Sequence, residues 1–136
     1  AKAILQGTDP KFRNWEWNYL TRLSDLSELS VKGHTERVLT ASFNFDGSRI
    51  VTGGSDKLAK VWDAKTGDEL LSFKKHNGIV FSASFDSEGT RIVTGSLDST
   101  AKIWEVKTGV ELLTIKGHTR EILTASFNKD GSKVLT

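Results

Sequence analysis

The side chains with the most chemical capacity in this sequence come in repeated sets. A histidine, a threonine and an aspartate stand at His34, Thr52 and Asp56, with Trp62 close behind. The same types return at His76, Thr94, Asp98 and Trp104, and His118 and Thr136 begin a third set. Hydroxyl, imidazole and carboxylate are the ingredients of a nucleophilic triad, in which the imidazole takes the hydroxyl proton and the carboxylate orients it. A duplicated triad at a fixed interval is a poor design for an enzyme, which needs one concave site in front of one nucleophile. A metal centre is disfavoured as well. One histidine per repeat spreads the ligands along the chain instead of converging them on one ion. The sequence carries no Gly-rich phosphate loop, no Gly-x-Ser-x-Gly elbow, no His-Glu-x-x-His and no Asn-x-Ser/Thr sequon.

The elements that must position these residues follow from the repeat itself. Residues 34–62 return at 76–104 with 15 of 29 positions identical, and the steps His34 to His76 to His118 and Phe43 to Phe85 to Phe127 are all 42 residues. Val38, Ala41 and Phe43 lie in a short apolar run that ends at the turn Asn44-Phe45-Asp46-Gly47. Arg49-Ile50-Val51-Thr52 is a second, β-branched run, closed by Gly53-Gly54-Ser55-Asp56. Ala59 to Trp62 gives a third strand, Thr66-Gly67-Asp68 a turn, and Glu69 to Phe73 a fourth. At the far end, Glu121 to Phe127 and Ser132 to Thr136 read as the first two strands of another copy. A four-stranded hairpin sheet has two apolar faces and cannot cover them alone, so neighbouring copies must stack.

A β-rich repeat of this length, with Gly-His at one end and Trp-Asp at the other, resembles the WD40-repeat β-propeller. The resemblance implies an all-β fold of four-stranded antiparallel blades, about three of them, forming an incomplete ring unless the chain oligomerises or belongs to a longer one. Repeat units are expected at 34–75, 76–117 and, in part, 118–136, within a repeat region at 25–136. The resemblance further implies that His34, Thr52, Asp56 and Trp62, and likewise His76, Thr94, Asp98 and Trp104, form buried hydrogen-bonded tetrads, with His118 and Thr136 a partial one. Their donors and acceptors balance: indole N–H to hydroxyl, hydroxyl to imidazole, imidazole N–H to carboxylate. A partner left unpaired in the core costs about 1–3 kcal/mol, so the set reads as a structural lock in which the threonine hydroxyl is packed beneath a tryptophan.

Propellers of this kind bind partners through the loops leading into their innermost strands. By position those are Glu36, Arg37, Asn77, Arg120 and Glu121, with Lys57 and Ser99 from adjacent turns. Leu39, Phe81 and Leu123 are apolar where the family tends to be polar. They read either as a contact patch near the rim or as buried packing of the inner strands. The expected partner is a protein or peptide, or further copies of the chain. Two copies making a six-bladed ring compete with a chain that is a piece of a longer propeller, since about four to eight blades are needed for closure.

Composition narrows the remaining classes. Nineteen basic against seventeen acidic residues leave a net charge of +2, which does not point to nucleic acid, and no apolar run is long enough to cross a membrane. The absence of cysteine suits a reducing compartment, and a cytoplasmic location is the expectation. No cofactor is implied. The chain does not start with methionine and stops in mid-strand, which suggests processing or excision from something larger. Lys60, Lys65, Lys102 and Lys107, with Lys74, Lys75 and Lys116 between the units, read as a solvated edge that discourages sheet pairing.

Residues 1–24 differ in texture. Trp15-Glu16-Trp17-Asn18-Tyr19-Leu20 resembles a segment that precedes the first blade in large bacterial multidomain WD40 proteins, often behind a serine/threonine kinase domain. Residues 13–23 fit a helix with Trp15, Tyr19 and Leu23 on one face, or a strand with Trp17, Tyr19 and Thr21 together. In the 42-residue register, residues 17–20 fall on a third strand and Ser27 to Lys32 on a fourth. Head and tail would then complete one shared blade. The function expected is a non-catalytic interaction scaffold, with a regulatory part of a signalling enzyme as the alternative.

Overall fold

The computed structural model describes residues 29–136, of which Val31–Thr136 forms one compact unit. The aromatic leader and its helix-or-strand question lie outside the described residues. So does most of the head-to-tail closure, although Leu29–Lys32, the part of Ser27–Lys32 that is described, forms no strand. All ten regular elements among the described residues are β-strands. Strands β1 (Val38–Phe43), β2 (Arg49–Gly54), β3 (Ala59–Asp63) and β4 (Glu69–Phe73) make one antiparallel sheet in that order. Strands β5 (Val80–Phe85), β6 (Arg91–Ser96), β7 (Ala101–Glu105) and β8 (Glu111–Ile115) make a second of the same design. A two-stranded ladder of β9 (Ser126–Phe127) and β10 (Val134–Leu135) begins a third.

The turns form where short polar side chains can bond the backbone. In the β1–β2 hairpin Asp46 accepts from the Ser48 N–H at 2.8 Å, Asn44 accepts from the Arg49 N–H at 2.9 Å, and Gly47 takes φ +72°. Asn128, Asp130 and Ser132 build the same turn between β9 and β10. Before β4, the carboxylate of Asp63 accepts from the N–H groups of Lys65 and Thr66.

The sheets stack so that each unit covers the next. Val51, Ala59, Val61 and Phe73 of the first sheet pack against Val80, Ala83, Ile92, Trp104 and Val106 of the second, with the Phe73 and Trp104 rings 4.9 Å apart. On its other face the second sheet presents Val93, Ala101 and Ile103 to Ile122 and Ala125. Serine hydroxyls cross both joints, from Ser42 to the Ala83 carbonyl and from Ser84 to the Ala125 carbonyl, each at 3.1 Å. Burying a valine, isoleucine or phenylalanine stabilises by about 1.5–3 kcal/mol, so these two clusters hold the stack together.

Two expectations need correction. The strands read at Glu121 to Phe127 and Ser132 to Thr136 shrink to two residues each, because β10 pairs only with β9 among the described residues, whereas β2 and β6 are held on both sides. Lys60 and Lys102 are not on a solvated outer edge either. They lie on β3 and β7, inside their sheets, where Lys60 is buried and bonds Glu69 at 2.6 Å, and Lys102 bonds Glu111 at 3.1 Å and Thr114 at 2.8 Å.

Candidate functional site

The repeat brings together four side chains that are far apart in sequence. In the second unit β6 supplies Thr94, the following turn Asp98, β7 Trp104, and the segment entering β5 His76. Trp104 Nε1 donates to the Thr94 hydroxyl at 2.9 Å, the hydroxyl lies 2.7 Å from His76 Nε2, and His76 Nδ1 lies 2.8 Å from the Asp98 carboxylate. The first unit repeats this at 2.8, 2.7 and 2.8 Å through Trp62, Thr52, His34 and Asp56. In the third, His118 and Thr136 lie 2.8 Å apart in an exposed setting.

Burial lowers the affinity of His76 for a proton, and this outweighs the upward pull of Asp98. The imidazole is therefore neutral, with Nδ1–H donating to the carboxylate and Nε2 accepting from the threonine. For Asp98, burial acts to raise the pKa. Hydrogen bonds from the Thr100 hydroxyl, His76 and the Asn77 N–H win, and hold it at about 2. Asp56 is lowered in the same way, burial being outweighed by bonds from His34 and from the Thr35 and Leu58 N–H groups.

The aspartate does more than orient the imidazole. Asp98 also accepts from the N–H of Asn77, in the loop entering β5, at 3.0 Å, and from the N–H of Thr100, in the β6–β7 turn, at 3.0 Å. Asp56 joins Thr35 and Leu58 likewise, at 3.1 and 3.2 Å. Backbone bonds reinforce the clamp, from the Ser55 N–H to Arg37 O at 2.8 Å and from the Leu97 N–H to Ile79 O at 2.9 Å. The turns are tight enough to put Lys57 and Ser99 at φ 66° and 65°, a left-handed conformation uncommon outside glycine.

At this end of the sheets Glu36, Arg37, Lys57, Asn77, Arg120 and Glu121 are exposed, and Ser99 is half-buried. Leu39 and Leu123 are exposed, at 39% and 59%, and Phe81 is half-buried. A local irregularity explains Leu39 and Phe81, and it was not readable beforehand. The pairing of β1 with β2 skips between Val38 and Thr40, and that of β5 with β6 between Val80 and Ser82. Each strand thus carries a bulge whose extra residue is taken out of the alternation and re-aimed. An apolar residue breaking the alternation was the available signal.

A hollow lies elsewhere, on the flank of the first sheet. Val31, Val38, Ala41, Phe43 and Ile50 line it, with His34 and Thr52 at its polar side, and it encloses about 520 Å³. No helix among the described residues is long and apolar enough to cross a membrane.

The family model for the WD domain, G-beta repeat (WD40), matches residues 26–63 and 67–105, more than half of the chain. Human apoptotic protease-activating factor 1 is 43% identical over 56 residues, which are 41% of this chain and 4% of that protein, and the mouse protein matches equally. Vegetative incompatibility protein HET-E-1 of Podospora anserina is 36% identical over 52 residues, 38% of this chain and 3% of the relative. The chain therefore corresponds to a small part of the curated relatives it matches.

Proposed function

The chain belongs to the WD40-repeat family, and from this premise we propose that it is a non-catalytic scaffold that binds a protein or peptide through the end carrying Glu36, Arg37, Asn77 and Arg120. One observation carries the reading. The carboxylates of Asp56 and Asp98 each fasten an entering loop to the neighbouring turn, so the exposed polar residues of that end are held by the core instead of by the loop. A preorganised surface loses little side-chain and loop freedom on binding. Exposed Leu39 and Leu123 supply apolar contact beside it. In this reading Thr52 and Thr94 are structural: both are buried, and each hydroxyl accepts from an indole and lies 2.7 Å from an imidazole nitrogen.

The test compares capture of cell proteins by the wild-type chain, by an Arg37→Glu/Arg120→Glu variant, and by a Lys129→Glu variant altered at the opposite, hairpin-turn end. Species bound by the wild type are expected to be lost with the first variant and kept with the second, at equal thermal stability. Equal loss with both variants, or with neither, would overturn the assignment of the binding end.

A second reading has a specific observation in its favour. The aligned segments make up at most 4% of the relatives, which supports placing these repeats inside a much larger polypeptide. The likeness of Trp15 to Leu20 to a leader found in kinase-linked bacterial proteins supports a regulatory role in such an enzyme, with cytoplasmic residence. Sequencing the gene on both sides of this region tests it; a flanking catalytic domain is expected, and further repeats alone would refute it.

A further inference from the structure

Where the first sheet meets the second, near their hairpin turns, a hollow of about 480 Å³ lies between two complete units. Buried Val61 and Val106, half-buried Leu71 and exposed Leu70 give it an apolar lining. Its walls are fixed by the turns. The Val106 N–H donates to the Thr90 carbonyl at 2.9 Å, and the Asp86 carboxylate accepts from the N–H groups of Thr90 and Arg91 at 2.9 and 3.1 Å. Two cations border this hollow, Arg49 and Lys107, both exposed and neither in an ion pair among the described residues. The 42-residue register explains why Arg49 is left over. Its counterpart Arg91 gives Nε to Asp86 at 2.9 Å and a terminal nitrogen to the Gly131 carbonyl at 2.7 Å. The first unit has Asn44 in place of Asp86, which keeps the turn by accepting from the Arg49 N–H but carries no charge. A methyl placed at Gly131 would lie 2.8 Å from the Arg91 guanidinium, whereas one at Gly89, the matching point of the first joint, meets only Asn44, at 3.5 Å. The carboxylates nearby are already engaged. Glu105 accepts from the Thr108 hydroxyl, and Asp63, across the ladder from Arg49, accepts from the N–H groups of Lys65 and Thr66.

We propose that this joint is a second docking site, for a peptide segment that carries an aliphatic side chain next to a carboxylate. The aliphatic side chain displaces water from over Val61, Leu71 and Val106, and the carboxylate pairs with the Arg49 guanidinium, Lys107 adding to the local positive field. Apolar lining supplies attraction, and the two uncommitted cations choose the sign of the partner. A nucleic acid is a poorer match. Two cations neutralise few phosphates, and no aromatic side chain lines the hollow for a base to stack on. The site lies at the hairpin-turn end, away from Glu36, Arg37, Asn77 and Arg120, and is independent of what the loop end binds.

The experiment titrates a rhodamine-labelled peptide, Gly-Asp-Leu-Val-Asp-Gly with blocked ends, with the whole chain and follows fluorescence anisotropy. Saturable binding is expected for the wild type. Arg49→Gln is expected to weaken it about tenfold, as loss of one charge-assisted contact requires, and Lys107→Gln by a smaller factor. Both side chains are exposed, so the strand signal by circular dichroism should not change. The peptide with both aspartates replaced by asparagine is expected to bind about tenfold more weakly to the wild type. Asn44→Asp is the sharpest variant. It gives Arg49 the carboxylate that Asp86 gives Arg91, and is expected to weaken the peptide while leaving the thermal midpoint equal or higher. Arg37→Glu/Arg120→Glu, at the loop end, is expected to leave the peptide's affinity unchanged. Absence of saturable binding, equal affinity for the acid and amide peptides, or indifference to both Arg49→Gln and Asn44→Asp would each overturn the proposal. Loss with Arg37→Glu/Arg120→Glu alone would move the peptide to the loop end and overturn it too, while leaving the loop-end reading intact.

Discussion

Replacing Thr94 with valine tests whether the indole-to-carboxylate chain holds its unit together. The two side chains have nearly the same shape, so no cavity is opened and the loss is confined to one hydroxyl. Thr94 is 0% exposed, its hydroxyl accepts from Trp104 at 2.9 Å and donates to His76 at 2.7 Å, and both partners are buried. Removing it strands an indole N–H and an imidazole nitrogen, each costing about 1–3 kcal/mol when unpaired away from water. The expected loss is therefore about 2–6 kcal/mol, a large fraction of the stability of a small domain. Thr52→Val provides the internal control. Its hydroxyl makes the same bonds, but Thr52 and His34 border the open hollow, where water can replace the missing partner, and the expected cost is nearer 1 kcal/mol. Urea unfolding followed by tryptophan fluorescence reads both, and an unchanged slope lets the midpoint report stability. A cost for Thr94→Val below about 0.5 kcal/mol, or a larger cost for Thr52→Val, would refute the reasoning.

Two further outcomes follow from the same geometry. Asp98 and His76 both have folded pKa values below their ordinary 3.8 and 6.5, so each contributes stability that is complete above its ordinary value and lost as pH falls toward the folded one. Urea midpoints should therefore decline from about pH 6.5 downward, with Asp98's share disappearing between about pH 4 and 2; a midpoint that rises on acidification would contradict this. Gly95→Ala places a methyl 2.8 Å from Ile122 Cγ2 and 3.1 Å from the Ile122 carbonyl, across the joint between second and third units. A loss of about 1–3 kcal/mol is expected, and an unchanged midpoint would show that the joint yields freely.

The strands of the first two units were legible because the turns that bound them are chemically explicit. Asn44 to Gly47 and Asp63 to Gly67 carry their own hydrogen-bond donors and acceptors, so local sequence decides where the chain reverses. The burial of Lys60 was not legible, since a lysine between two apolar residues gives no sign of a glutamate waiting on the next strand. The skip at Leu39 and Phe81 escaped for a similar reason. A bulge is a property of two paired strands, and a single strand read alone shows only an apolar residue out of turn. Most opaque was the unequal fate of equivalent residues. Val38 and Val80 read alike, and among the described residues only Val80 is covered by a neighbouring sheet.

Arg91 ties its own hairpin to the third unit. Its Nε bonds the buried carboxylate of Asp86 at 2.9 Å, its terminal nitrogen bonds the Gly131 carbonyl at 2.7 Å, and its guanidinium lies 5.0 Å from the Phe127 ring centre. In the first unit the partner carboxylate is replaced by Asn44, and Arg49 forms no ion pair among the described residues. The two seams of the stack therefore differ: apolar packing and the Ser42 hydroxyl fasten the first, and the second adds a guanidinium anchored at Asp86. A change that removes the guanidinium of Arg91 therefore loosens the second seam, while the same change at Arg49 breaks no ion pair among the described residues.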